Sequence, residues 1–349
     1  MPQKKRPRLA DVARLAGVSE ATVSVVLNHR VGESVRVSEQ TQARIWDIVR
    51  KLGYVANPVA RSLAGGRNNI LAVFTFDPVF PIGYRNFYYP FLVGIEEEAA
   101  RRGYNLLLVT SADDLSGKRH IYRDGVNTLQ AADGALLLGY ENKAELLALL
   151  DEGFPFVFVG RRESPNDTIS YVACDYKQGT IDVIEHLESY GHQRIAYVQS
   201  SSETESSQDR QAGYMKAIEA SQQTIDPALI WKGTPQRFTR ADLTALLEAG
   251  VTALVAENDE CAERILTLAG ELKLDCPRDF SLAVLGDPLT PTETDHTWTM
   301  FKIPRREMGS EAVRLLHQIL TAPDHALALP LRQSLPCEFK PGNSVAPPP

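Results

Sequence analysis

Only four of the 349 residues are cysteine, Cys174, Cys261, Cys276 and Cys337, and they lie far apart in the chain. No C-x-x-C pair occurs and the histidines do not cluster, so neither a zinc site nor a disulfide framework is indicated; free thiols in a reducing compartment are expected. Long apolar runs are missing as well. None approaches the roughly 18 residues of a membrane span. The basic string MPQKKRPRLADV is not followed by the apolar stretch of a secretory leader. A cytoplasmic protein without a membrane partner is expected. The strings that announce common catalytic chemistries are absent too: G-x-x-x-x-G-K-[ST], G-x-G-x-x-G after a strand, H-E-x-x-H and G-x-S-x-G. His186, His192 and His296 stand apart from one another and read as surface or packing residues. No catalytic set, metal site or cofactor is expected, and an enzymatic reading has no residues to rest on.

What the chain does have is an uneven charge. The net charge is -7, yet residues 1–70 hold twelve Lys/Arg against five Asp/Glu, while the remainder holds 25 against 39. A small basic module therefore precedes a large acidic body, the charge footprint of a nucleic-acid-binding head. The length exceeds what one hydrophobic core usually supports, so at least two folding units are expected.

Three helices can be drawn in the head. Leu9, Val12, Ala13 and Ala16 recur at helical spacing and end at Gly17, a natural left-handed stop. Ser19 caps a second helix whose Val23, Val26 and Leu27 face inward. The short turn between them makes the helices cross steeply, as in a helix-turn-helix. Ser38 opens a third helix with an Ile45, Ile48, Val49, Leu52 stripe, closed by Gly53. Further on, Asn57-Pro58 and Gly65-Gly66 bracket a segment too short to be a stable helix alone.

The strings LADVARLAGVSEATVSVVLN and VSEQTQARIWDIVRKLGYVANPVARSLAGG closely resemble the head and hinge of the lactose/galactose repressor (LacI/GalR) family. The resemblance implies that the helix from Glu20 to Leu27 enters the major groove. Glu20, Ala21 and Val25 then take the base-reading positions, and Ser19, Thr22, Ser24 and Asn28 the phosphate positions. Ser38, Thr41, Asn57 and Ala60 are further DNA-contacting positions it implies, and Leu63 is the residue that would wedge into the minor groove. Val25 departs from the arginine of many relatives. It cannot make a bidentate contact with guanine and is limited to an apolar neighbour such as a thymine methyl.

In the body, short buried runs (Ile70 to Phe76, Leu106 to Thr110, Ala135 to Leu138, Phe156 to Val159, Ile195 to Gln199, Leu254 to Ala256, Leu282 to Leu285) alternate with amphipathic stretches. Alternating strands and helices imply doubly wound parallel sheets, and the length fits two of them. Periodicity alone leaves open whether these sheets carry an enzyme, a transport-type binding protein or a sensor. The fragments NFYYPFLVGIEEEAARRGYNLLL, DGALLLG, YVACDYKQG, DRQAGYMKAI and FKIPRREMGSEAVRLL resemble the effector domain of the same family.

That resemblance implies a small all-α helix-turn-helix head plus an α/β periplasmic-binding-protein-like effector domain of two Rossmann-like lobes. Residues 1–56 would form the DNA-binding domain, 57–66 a hinge helix, 67–340 the effector-binding and dimerisation domain, and 341–349 a flexible tail. Within the large domain the N-lobe would take about 67–160 and 302–330 and the C-lobe about 161–301 and 331–340, with crossings near Gly160, Phe301 and Leu331. Effector-binding residues carried over are Phe87, Tyr88, Tyr89, Arg210, Phe238, Asn258, Asp259 and Asp287. Two departures, Leu285-Gly286-Asp287-Pro288 without a tyrosine and NFYYP in place of N-P-F-F, bear on the shape of the cleft. The implied partners are a pseudo-palindromic double-stranded operator, a small-molecule effector of sugar type and a second copy of the chain. The tail KPGNSVAPPP lacks leucine heptads, so a homodimer is expected rather than a larger assembly. A repressor whose DNA affinity answers to the effector is the implied function.

Overall fold

The computed structural model describes residues 7–27, 36–54, 67–77, 85–110, 119–139, 143–288, 297–323 and 330–349. Two units divide the chain, residues 1–70 with 130–133 and residues 71–129 with 134–349. Asn28 and the hinge positions Asn57, Ala60 and Leu63 lie outside the described residues, as does His296.

In the first unit, α1 (Leu9–Ala16), α2 (Glu20–Leu27) and α3 (Glu39–Leu52) form at the places their patterns indicate. Val12, Ala13, Ala16, Val23, Val26, Leu27 and Ile45 make one buried cluster. Ile48, Val49 and Leu52 face it but stay partly open, so of the α3 stripe only Ile45 is fully enclosed. Gly17 adopts φ 64°, and this left-handed step lets the Val18 N–H donate back to the Ala13 carbonyl at 3.1 Å and turns the chain into α2.

The second unit is a pair of α/β lobes. The N-lobe sheet runs β13-β7-β6-β5-β1-β2, from β1 (Ile70–Thr75), β2 (Asn105–Val109), β5 (Gly134–Leu138), β6 (Phe156–Val159), β7 (Tyr171–Cys174) and β13 (Arg332–Leu335). The C-lobe sheet runs β14-β12-β11-β10-β8-β9, from β8 (Ile195–Ser200), β9 (Ile230–Gly233), β10 (Ala253–Ala256), β11 (Ser281–Val284), β12 (Thr299–Lys302) and β14 (Glu338–Lys340). A small ribbon, β3 (Tyr122–Arg123) with β4 (Val126–Asn127), stands apart. The central strands are buried on both faces, as parallel strands covered by helices must be. On the N-lobe, α4 (Arg85–Arg101) packs along α10 (Arg305–Thr321), with α5 (Lys143–Asp151) between β5 and β6 in sequence. On the C-lobe, α6 (Tyr176–Ser189) packs along α7 (Glu205–Ala220), and α8 (Arg240–Glu248) contacts α9 (Asp259–Glu271).

Three connections join the lobes, and two sit elsewhere than the sequence suggests. The chain does not leave the N-lobe at Gly160: β7 pairs in parallel with β6 and with β13, so the first crossing falls after Cys174. Which sheet a strand joins is decided by long-range pairing, which the composition of YVAC does not encode. The second crossing follows β12 and agrees with the expected place near Phe301. The third lies between Leu335 and Glu338 rather than at Leu331, because β13 still belongs to the N-lobe sheet and β14 returns antiparallel to β12.

The expected flexible tail is a packed strap. Ser344 is fully buried, its carbonyl accepts from the Leu282 N–H at 2.9 Å, and its hydroxyl accepts from the Thr299 N–H at 2.9 Å. Polar, proline-rich composition suggests freedom, whereas here the backbone groups of the tail find partners on β11 and β12. Among the described residues no helix is long and apolar enough to cross a membrane.

Candidate functional site

The exposed face of α2 is the first candidate. Glu20 and Ala21 are exposed at its start, and Thr22, Ser24 and Val25 are half-buried one turn on. Ser19 Oγ accepts the Thr22 N–H at 3.1 Å and lies 2.8 Å from the Thr22 hydroxyl, so the two hydroxyls cap the helix together. Ser38 and Thr41 repeat this arrangement at the start of α3, at 3.3 and 2.9 Å. These hydroxyls stand where a helix N-terminus presents its partial positive charge, the environment that suits a phosphate oxygen.

The second candidate is a cleft of about 480 Å³ inside the α/β unit. It opens at the carboxyl ends of strands from both sheets, where ligands enter open α/β folds. Asp77 follows β1, Gly139 follows β5, Gly160, Arg161 and Arg162 follow β6, and Ser202 and Asn258 follow β8 and β10. Phe87, Tyr88 and Tyr176 supply aromatic faces, and Thr204 and Ser206 add hydroxyls from the start of α7. Aromatic faces beside fixed polar groups make a site for a small polar ligand with one apolar side.

Close backbone approach shapes the floor of this cleft. The Tyr88 hydroxyl donates to Asp77 Oδ2 at 2.8 Å. A Cβ at Gly139 would stand 2.7 Å from that carboxylate oxygen and 2.8 Å from the Tyr88 hydroxyl, and Gly139 has φ 96°, so only glycine fits. Arg162 reaches over the Phe158 ring at 4.1 Å and donates to the Gly139 carbonyl at 2.7 Å.

Charged pairs also cross from one lobe to the other. Arg162 meets Glu205 of α7 at 3.4 Å, and Arg161 Nε donates to Asp209 Oδ2 at 2.9 Å. Burial raises the Asp209 carboxyl above its ordinary range, and Arg161 only partly offsets this. The Arg161 guanidinium, in turn, loses to burial but gains more from Glu163 and Asp209, so it holds its proton more firmly than usual.

The site residues expected from sequence fall into three groups. Phe87, Tyr88 and Asn258 line the cleft. Asn258 also caps α9, its side chain accepting the Cys261 N–H at 2.9 Å, and Asp259 is the first residue of that helix. Arg210 and Asp287 stand behind the lining. Arg210 Nε donates to the Leu285 carbonyl at 2.8 Å and its guanidinium stacks 4.1 Å from the Tyr176 ring, so Arg210 positions an aromatic wall. Asp287 accepts the Ile303 N–H at 3.0 Å and pairs with the buried Arg305 at 2.5 Å. Tyr89 and Phe238 do not belong. Tyr89 is 63 % exposed one helical step from the lining Tyr88, and Phe238 is 1 % exposed, packed edge-on against Trp231 at 5.0 Å in the C-lobe core.

Sequence reading misses Asp77, Arg161, Arg162, Tyr176, Ser202, Thr204 and Ser206. Each sits within a few residues of a strand end or at a helix start. That position is the available signal, since strand ends at one edge of a doubly wound sheet converge on a cleft.

Residues 8–57 match the model described as bacterial regulatory proteins, lacI family, and residues 184–345 match a periplasmic binding protein-like domain. The HTH-type transcriptional regulator CelR of Thermobifida fusca is 30% identical over 332 residues, covering 92% of this chain and 94% of that one. This chain belongs to the lacI family. Catabolite control protein A of Priestia megaterium is 27% identical across 88% of the chain and 90% of its own length. Among solved structures, a complex of the regulator CelR with cellobiose aligns with a TM-score of 0.62 at 27% identity, over 97% of this chain and all of that one. A lac repressor dimer bound to operator and anti-inducer aligns with a TM-score of 0.69 at 22% identity, over 98% of this chain, which bears on the fold alone. As a lacI-family member the chain is a transcriptional regulator that binds DNA through its helix-turn-helix, and the α/β part that follows in sequence is periplasmic-binding-protein-like. The relatives are regulators, not enzymes.

Proposed function

We propose that this lacI-family regulator acts in the cytoplasm as a homodimeric repressor whose affinity for a pseudo-palindromic operator is set by a carbohydrate held between its lobes, without catalysis. The observation that carries the effector reading is the cleft, where the aromatic side chains Phe87, Tyr88, Phe91 and Tyr176 stand beside Asp77, Arg162, Asn258, Ser202 and Ser206. Sugars are bound by such sets, an apolar ring face on an aromatic and paired hydroxyls on charged or amide groups. The cellobiose complex of a relative points the same way.

In this reading the head is residues 1–56, the hinge 57–66 and the sensor the rest of the chain. Glu20, Ala21 and Val25 read bases, while Ser19 and Ser38 use their lone pairs to accept the helix N–H groups, and in each hydroxyl pair, Ser19 with Thr22 and Ser38 with Thr41, the O–H not spent on its neighbour donates to a phosphate oxygen. Ser24 and Asn28 add phosphate contacts, and Asn57, Ala60 and Leu63 act from the hinge, with Leu63 inserted in the minor groove. A ligand that bridges the lobes favours the closed arrangement, and only its differential affinity for the two arrangements can move the DNA equilibrium.

The test is a thermal-shift panel with cellobiose, other disaccharides, monosaccharides and nucleobases as probes. A ligand that binds only the native form at 100 times its dissociation constant adds about 2.7 kcal/mol, a shift of several degrees. Arg210→Ala should keep DNA binding and lose that shift, because the Tyr176 wall loses its support. A nucleobase shift with no sugar shift would reassign the effector class.

A further inference from the structure

Cys174 and Cys337 are 163 positions apart in the chain, yet their sulfurs lie 2.7 Å from each other. Cys174 ends β7, immediately before the chain crosses into α6, and Cys337 lies between β13 and β14, inside another crossing. The backbone fixes the approach. Leu335 pairs with Cys174 in the parallel β13/β7 ladder, and the Asp175 N–H donates to the Leu335 carbonyl at 2.8 Å. Gly179 of α6 leaves room for the second thiol, since a Cβ there would stand 3.0 Å from Cys337 Cβ and 3.1 Å from its sulfur. Both sulfurs are free thiols, and a small side-chain rotation would bring them to the ~2.05 Å of a bond. Cys261 and Cys276, by contrast, are buried in the C-lobe core, and burial pushes each thiol up to about 12.

We infer that Cys174 and Cys337 form a reversible disulfide that ties two of the three inter-lobe connections together and restrains movement of the lobes. The inference stands on this geometry and does not rest on the sugar reading. The oxidant is hydrogen peroxide. A thiolate attacks the O–O bond, which breaks, leaving a sulfenic acid and releasing hydroxide that takes up a proton. The second thiolate then attacks the sulfenic sulfur, the S–S bond forms, the S–O bond breaks and water leaves. Two thiols and one peroxide thus give a disulfide and two waters, a two-electron change that a dithiol reverses. Cys337 is half-buried and Cys174 only 2 % exposed, so the peroxide meets Cys337 first. The neighbouring thiol and burial hold the Cys337 proton well above the ordinary thiol range, so the reaction runs faster as pH rises.

The experiment treats the reduced full chain with hydrogen peroxide at two pH values, denatures it in alkylating reagent and maps the thiols by mass spectrometry. The expected result is a linked peptide pair carrying Cys174 and Cys337, two thiols still alkylated at Cys261 and Cys276, and full reversal by dithiothreitol. Amide exchange in residues 175–180 and 336–340 should slow at least ten-fold in the oxidised form, on the order of 1.4 kcal/mol of added local protection. Cys337→Ser and, independently, Cys174→Ser should abolish both effects. Four alkylated thiols, or Cys337 carried to the sulfinic acid with Cys174 still free, overturns the disulfide; a linked pair with unchanged exchange overturns the restraint.

Discussion

At the scale of single residues, function depends on how closely atoms approach. Gly139 is the clearest case, because the Asp77 carboxylate and the Tyr88 hydroxyl occupy the space a side chain would need. Gly139→Ala is expected to cost about 1–3 kcal/mol of stability in a urea melt and to abolish ligand-induced thermal shifts, since both strain at positive φ and a displaced hydrogen bond act together. An alanine variant as stable and as responsive as the parent would show that the cleft floor is looser than described. Residue type alone does not locate such positions. Phe238 has the chemistry of a ring-face aromatic and is a core residue, while Arg162 carries no motif and yet spans from β6 to α7. An aromatic or a charge has the same letter whether it faces ligand or core, and the direction of its side chain is decided by tertiary packing that no local pattern encodes.

Elements are far more legible. The helices of the head and most central strands fall where spacing and caps put them, because a buried face imposes a period of 3.6 or a continuous apolar run. The strands that escape, β3, β4, β7, β9, β12, β13 and β14, are two to four residues long, and β13 and β14, at sheet edges, are polar or charged at most positions. The C-terminal strap escapes for a related reason, its interactions being backbone and long-range. His192 ties that strap down: Nε2–H donates to the Ala346 carbonyl at 2.8 Å, which leaves Nδ1 to accept from the Thr252 hydroxyl at 2.9 Å. Burial lowers the His192 pKa below 6.5, with the Ala346 bond opposing. A histidine with a depressed folded pKa contributes stability that is present above its unfolded pKa and lost as pH falls below it. The C-lobe should therefore melt at progressively lower temperature as pH drops from 6.5 toward 5, and less steeply in His192→Gln; identical slopes would remove His192 from the account. The proposed hinge offers a second check at this scale. Leu63→Ala should weaken operator binding by ten-fold or more while residues 1–56 keep their helical circular dichroism, because without the wedge the duplex is not held in the kinked form that gains the extra protein contacts.

For the whole molecule, the division into a cationic head and an anionic body is legible in the distribution of charge along the sequence, and the division of the body into two lobes in the alternation of strands and helices. Where the chain crosses between lobes is not legible, since a crossing changes which sheet a strand joins without changing its composition. In the proposed function, ligand between the lobes governs how tightly the head holds DNA. The measurement that reaches it most directly is fluorescence anisotropy on a duplex enriched from a random pool by the protein itself, titrated at several salt concentrations with and without the carbohydrate that raises its melting temperature. The expected result is a palindromic duplex whose affinity falls steeply with salt, as release of counterions requires, and changes at least ten-fold when the carbohydrate is added. A duplex affinity that no ligand of the cleft alters would show that the lobes and the head are not coupled.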